Sequence, residues 1–136
     1  MFKRFKEKKY FKKKFEGVQK MIWDYEFKRS KTRSLREAIR QKYDQDKSRM
    51  ATLLAKIGTE NKNPTMGKGD IARLDDDKVR LEKEIEKWEE QLKNLDLEVN
   101  GSKQTNEYPE GAVGINQTLD SLRELQIMLK EYIKRI

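Results

Sequence analysis

Nine basic side chains crowd the first twenty residues of this 136-residue chain: Lys3, Arg4, Lys6, Lys8, Lys9, Lys12, Lys13, Lys14 and Lys20. Only Glu7 and Glu16 oppose them. Aromatic rings are interleaved with the cations. Phe2, Phe5, Tyr10, Phe11, Phe15, Trp23, Tyr25 and Phe27 are eight of the twelve aromatics, and every Phe of the protein is among them. Ammonium groups attract phosphates, and rings stack on unpaired bases, so this pattern suits a nucleic acid. It also suits an anionic membrane surface, where Phe and Trp bury at the interface and Lys contacts headgroups. Eight of the nine cations are Lys, a compact charge without the bidentate fork that reads bases. The expectation is attraction without sequence specificity.

The remaining chemistry is sparse. With no His and no Cys, the usual proton shuttle, the thiolate nucleophile and sulfur-based zinc sites are all missing. No triad that needs an imidazole can be built. Met66-Gly67-Lys68-Gly69 resembles the end of a phosphate-binding loop, but Gly69 stands where the closing Ser/Thr belongs and no strand precedes it. Asp75, Asp76 and Asp77 are successive, so on a helix they point in different directions and cannot converge on one metal. The sequence predicts no enzyme, no cofactor, no metal site and no small-molecule substrate.

The elements that position the basic run are legible from composition and spacing. Ala, Glu, Lys, Leu and Arg supply 64 of 136 residues, charged residues 41% and hydrophobic residues 35%, with a net charge of +8. That is the composition of long helices and coiled coils, with a thin, linear core. Apart from Gly17, all Gly and Pro fall within 58–69 and 100–114, which become loops. The fold class is therefore all-α: a long antiparallel, coiled-coil-like helical hairpin of residues ~10–57 and 70–99, with a third helix, 115–136, packed alongside. Residues 1–27 form a basic, aromatic amino-terminal arm, a helical extension. Residues 28–136 form a three-helix domain with helices over ~28–57, 70–99 and 115–136.

Ile71, Leu74, Lys78, Leu81, Ile85, Trp88, Leu92, Leu95 and Val99 alternate spacings of three and four, an a/d seam. Phe11, Phe15, Val18, Ile22 and Tyr25 begin the seam of the first helix, and Ile39, Tyr43, Met50, Leu53 and Ile57 continue it. Ser34-Leu35-Arg36-Glu37 has the form of a capping box, but a restart there would rarely keep the frame, so one helix is preferred. Asp70 is the expected N-cap of the second helix, and Asn100-Gly101 its stop. Seven of the eight positions flanking its seam are acidic, and Lys28, Arg33, Arg40, Lys42, Lys47, Arg49 and Lys56 flank that of the first. Opposite flanks select these two as partners. Setting Leu53 against Ile71 aligns Tyr43 with Leu81, Arg36 with Trp88, and Asp46 with Lys78, the expected register pair of the hairpin.

In that register the hairpin ends near Tyr25 and Val99, and the arm projects beyond it. Its apolar docking face is read as Phe2, Phe5, Phe11, Phe15, Val18, Ile22, Trp23 and Phe27. Two blander fates compete: cover by the 100–114 loop, with Tyr108, Pro109 and Val113, or self-association of two arms. The functional expectation is a non-catalytic architectural or adaptor protein, one subunit of a larger assembly, docking through the arm on RNA or a nucleoprotein particle. A peripheral membrane-surface helix and a purely structural assembly component, homo-oligomeric or virion, are the alternatives. Other chains of the assembly, a second copy included, are expected partners. Residues 1–20 contain no apolar stretch of the kind a secretory signal needs. The expected compartment is the cytoplasm or a virion interior.

Overall fold

The computed structural model describes residues 2–102, 111 and 113–136, the side chain of Phe2 excepted. Three helices account for nearly all of them: α1 (Phe2–Lys62), α2 (Lys68–Asn100) and α3 (Ile115–Arg135). The chain is an all-α helical hairpin of α1 and α2 with α3 packed alongside. Among the described residues no helix is long and apolar enough to cross a membrane.

α1 runs unbroken through the Ser34–Glu37 motif and through both of its glycines. A Cβ built at Gly17 or Gly58 would meet no atom within 4 Å. Each glycine faces open space and costs only its backbone entropy, about 1 kcal/mol relative to Ala. The helix continues past Gly58, where the sequence places its end, and stops at Lys62, one residue short of the residue before Pro64. Proline disfavours helical geometry in the residue preceding it. Glu60 holds the turn that follows. Its carboxylate accepts the Thr65 hydroxyl at 2.5 Å and the backbone N–H groups of Thr65 and Met66 at 2.9 and 3.1 Å. α2 then opens on Gly67, whose carbonyl accepts the N–H of Asp70 and Ile71, both at 3.1 Å. Asp70 lies in the first turn and is not the N-cap.

Contacts group Met1–Arg33 with Leu95–Ile136 as one compact unit and Ser34–Asn94 as a second. This differs from the arm-and-domain division read from composition. In the second unit α1 faces α2, with Ile39, Ile85 and Leu92 buried. The register there is not the one expected. Asp46, only 5% exposed, accepts the indole N–H of Trp88 at 2.9 Å and has Arg49 at 3.6 Å. Tyr43 donates to Glu89 at 3.2 Å, and Lys47 lies 4.0 Å from the same carboxylate. Lys78, the expected partner of Asp46, sits instead 4.0 Å from Glu82, one turn along its own helix. The Trp88 ring, placed opposite Arg36 by the sequence, carries Lys42 and Lys87 at 5.4 and 5.3 Å.

The contacts are displaced by six to ten residues, about one heptad. The five-residue turn after Lys62, in place of a loop over 58–69, moves the midpoint of the connection from 63.5 to 65. Facing positions shift by twice that, about three residues, and the nearest register in which the seams meet again is one heptad away. A seven-residue repeat laid against another still matches seam to seam after such a slip. The flanks still match as well, which is why Lys47 finds an acidic partner in the new register.

In the first unit α3 runs antiparallel to α1. Asn116 accepts from Arg29 at 3.0 Å, Arg123 meets Glu26 at 2.9 Å, and Tyr132 donates to Glu7 at 2.7 Å. Val18, Ile22, Ile115 and Leu119 are the core, joined at its margin by Tyr25, Leu122 and Leu129. α2 ends in this unit. Gly101, with φ of 67°, takes the left-handed turn that stops the helix, and its N–H bonds Leu97 O at 2.8 Å. Gly114 presses onto that turn, so that an added Cβ would collide with Gly101 N and lie 2.6 Å from Val99 O. Asn100 seals the junction. Its side chain accepts from Asn116 at 2.9 Å and its carbonyl accepts the Gln117 amide.

Candidate functional site

The residues singled out in the sequence occupy three sides of one stretch of helix. Successive helical residues advance about 100°, so the direction of each follows from the buried pair Val18 and Ile22. Phe11, Phe15, Val18 and Ile22 belong to the face that α3 covers: Val18 and Ile22 are buried, and Phe11 and Phe15 are half-buried. Phe11 stacks edge-on against Tyr132, with ring centroids 4.7 Å apart. Val18 and Ile22 of the expected docking face are therefore spent on the internal core, while Phe11 and Phe15 lie half-buried beyond it. The physical reason is that α2 ends at Asn100 and leaves this part of the apolar stripe of α1 to α3. Arg4 and Lys8 flank the same face.

The opposite side of α1 is uncovered. Phe5, Trp23 and Phe27 are 69%, 62% and 64% exposed. On the wheel they share a stripe with Lys9, Lys12, Lys13, Lys20 and Lys31, all exposed, and with Glu16 as its one acidic member. Lys31 Nζ lies 4.8 Å from the centroid of Phe27, so ring and cation are already adjacent. The stripe is an exposed helix surface that can offer charges and ring faces to an extended anionic partner.

The third side lies between the other two. Lys3, Lys6 and Lys14 face it from α1, together with exposed Tyr10 and Met21. Lys14 sits 5.5 Å over the Tyr10 ring. The hydrogen bond to Glu7 holds the Tyr132 hydroxyl above its ordinary pKa, because the ionised phenol would face a carboxylate. The side chain of Phe2, and Tyr108 and Pro109 of the loop expected to cover the arm, lie outside the described residues. Val113 is exposed.

Charge is distributed unevenly between the two compact units. Ser34–Asn94 holds fourteen basic and thirteen acidic residues, whereas the other unit holds eighteen basic and eleven acidic, of which thirteen and four fall in residues 1–33. In the second unit Asp77, one of the three successive aspartates, pairs with Arg80 at 2.7 Å. A groove of about 770 Å³ runs beside its seam, with Leu53, Leu74 and Leu81 among the lining. Arg49, Lys56, Arg80, Asp77 and Glu84 give its walls both signs. No protein-family model, curated protein sequence or solved structure matches the chain.

Proposed function

We propose that the protein is a non-catalytic adaptor that docks on a single-stranded or irregular nucleic acid, RNA in the first instance, through the face of α1 that α3 leaves uncovered. The observation that supports this reading is the pairing, on one exposed stripe, of five lysines with three exposed rings. Lys9, Lys12, Lys13 and Lys20 neutralise phosphates, while Phe5, Trp23 and Phe27 stack on unpaired bases. Recognition is by charge and stacking, so affinity is tolerant of sequence.

Deleting residues 1–24 would be a poor test, because it removes Val18 and Ile22 from the core and strips the cover from Ile115 and Leu119. The useful variant changes Lys9, Lys12, Lys13 and Lys20 to Gln, which leaves that core intact. Wild type and variant are titrated with single-stranded RNA, duplex DNA and anionic vesicles over a series of salt concentrations. The expected result is tightest binding to RNA. The log–log salt slope should fall in magnitude by roughly 0.7 for each phosphate that the variant no longer neutralises. Vesicle binding that outlasts RNA binding at high salt would transfer the function to a membrane surface. RNA binding unchanged in the variant would remove the stripe from the account.

A further inference from the structure

One Asn of the chain is followed by Gly: Asn100, the last residue of α2. In a free chain this pair is chemically labile. The Gly nitrogen, once a base has taken its proton, attacks the Asn side-chain carbonyl carbon. A C–N bond forms, ammonia leaves, and water opens the resulting succinimide to aspartate or isoaspartate. Only water and a base are consumed. Glycine favours the reaction because it places no side chain in the path of ring closure.

The structure obstructs each step. The N–H that must be deprotonated donates to Leu97 O at 2.8 Å. Turning Gly101 N toward the Asn100 side chain takes Asn100 out of helical geometry and breaks that bond. The side-chain carbonyl under attack accepts from Asn116 at 2.9 Å, and the main-chain carbonyl of Asn100 accepts from the Gln117 amide. Gly114 packs against Gly101 N so closely that an added Cβ would collide with it. Gln117 also accepts the Gly114 N–H at 2.9 Å, which fixes that cover in place. Apart from the Leu97 bond, these restraints come from Gly114–Gln117, the start of α3. Asn100 is itself exposed, so water and base are at hand once the restraints are lifted.

We propose that Asn100–Gly101 is a deamidation site which the seating of α3 holds unreactive, and which reacts when Gly114–Gln117 lifts from the end of α2. Such a local opening costs less than global unfolding. The isoaspartyl product routes the main chain through the former side chain and adds one atom to it. Gly101 N–H then loses its alignment with Leu97 O, and Gly114 no longer fits the turn. Reaction is therefore a one-way release of the start of α3, where Ile115 and Leu119 are buried. The inference does not depend on the nucleic-acid reading.

The full chain and a synthetic peptide of residues 97–102 are incubated side by side in mildly alkaline buffer. Mass spectrometry after proteolysis follows the mass gain at Asn100. The peptide should react about tenfold faster than the chain, or more. Asn116→Ala with Gln117→Ala should accelerate the reaction in the chain by about fivefold or more, since local opening then costs less. Trp88→Phe lowers stability in the other compact unit, and should change the rate less than about twofold. Equal rates for peptide and wild-type chain overturn the proposal, and this comparison stands even where the double variant does not fold. Acceleration by Trp88→Phe as large as that by the double variant also overturns it, because global unfolding would then expose the site. The isoaspartyl chain, separated by ion exchange, should unfold at lower urea than Asn100→Asp, which has the same charge and an ordinary main chain. Equal midpoints refute the release of α3.

Discussion

Replacing Trp88 with phenylalanine removes the indole N–H that reaches Asp46 at 2.9 Å and leaves a ring in nearly the same place. Asp46 is buried, and its other partner, the Arg49 guanidinium, is 3.6 Å away and itself exposed. The lost bond ends on a charged group, which costs about 1.5–3 kcal/mol. The smaller ring removes apolar packing worth about 0.5–1 kcal/mol, since Trp88 is only half-buried. Trp88→Phe should therefore destabilise the chain by about 2–4 kcal/mol. In an Asp46→Leu background there is no carboxylate to orphan, and the same change should cost only the apolar part. The double-mutant cycle should return a coupling of about 1.5–3 kcal/mol, the hydrogen-bond part of the loss. At ordinary urea sensitivities this is a midpoint shift of roughly 1 M, read by helical circular dichroism. A coupling under about 0.3 kcal/mol would be simple additivity and would refute the claim that Asp46 and Trp88 fix the hairpin together.

Three further perturbations test other parts of the fold. Leu119→Ala, at the one fully buried side chain of α3, should cost about 2–5 kcal/mol and lower the unfolding midpoint accordingly. Gly114→Ala must push a Cβ against Gly101 and Val99, where the nearest obstacles are backbone atoms, and should cost about 1–3 kcal/mol by the same measurement. Glu60 has its pKa held below the ordinary carboxylate value, chiefly by the Thr65 hydroxyl and then by the N–H groups of Thr65 and Met66. Its contribution is therefore complete above the ordinary carboxylate value and is lost as pH falls through the lowered one. The stability gap between wild type and Glu60→Gln should shrink as pH falls from 7 into that acid range, and a gap constant with pH would contradict the role of the turn.

The helices are legible in the sequence because their signals are local and periodic. Asn100-Gly101 ends α2 where expected, and the unbroken heptad frame outweighs the capping box at Ser34. The register is not legible. A seven-residue repeat scores equally well after a slip of seven, so only the turn can decide between registers. The residues that decide it are Glu60, Thr65 and Met66, whose bonds span five and six positions outside any helical period. Asp46 is visible as the polar member of its seam, but a tryptophan N–H serves it as well as an ammonium, and a charge-pairing argument cannot see that donor. The basic arm is readable as a surface of charge and rings, whereas its division into a covered and an open face is not. Phe11 and Trp23 look alike in sequence, and only the seating of α3 against Val18 and Ile22 separates them. Gly114 reads as an ordinary loop glycine, because its tight fit depends on Gly101, thirteen residues distant.

The central claim is that the open stripe of α1, not the hairpin, meets the nucleic acid. The chain carries two tryptophans, one in each place: Trp23 exposed on the stripe and Trp88 bonded to Asp46. Fluorine NMR of the full chain labelled with 5-fluorotryptophan gives one resonance for each, assigned with Trp23→Phe. On addition of a single-stranded RNA oligonucleotide, the Trp23 resonance should shift or broaden with saturation while that of Trp88 stays in place. A response at Trp88 with Trp23 unmoved, or movement of neither under conditions where the RNA binds, would contradict the account.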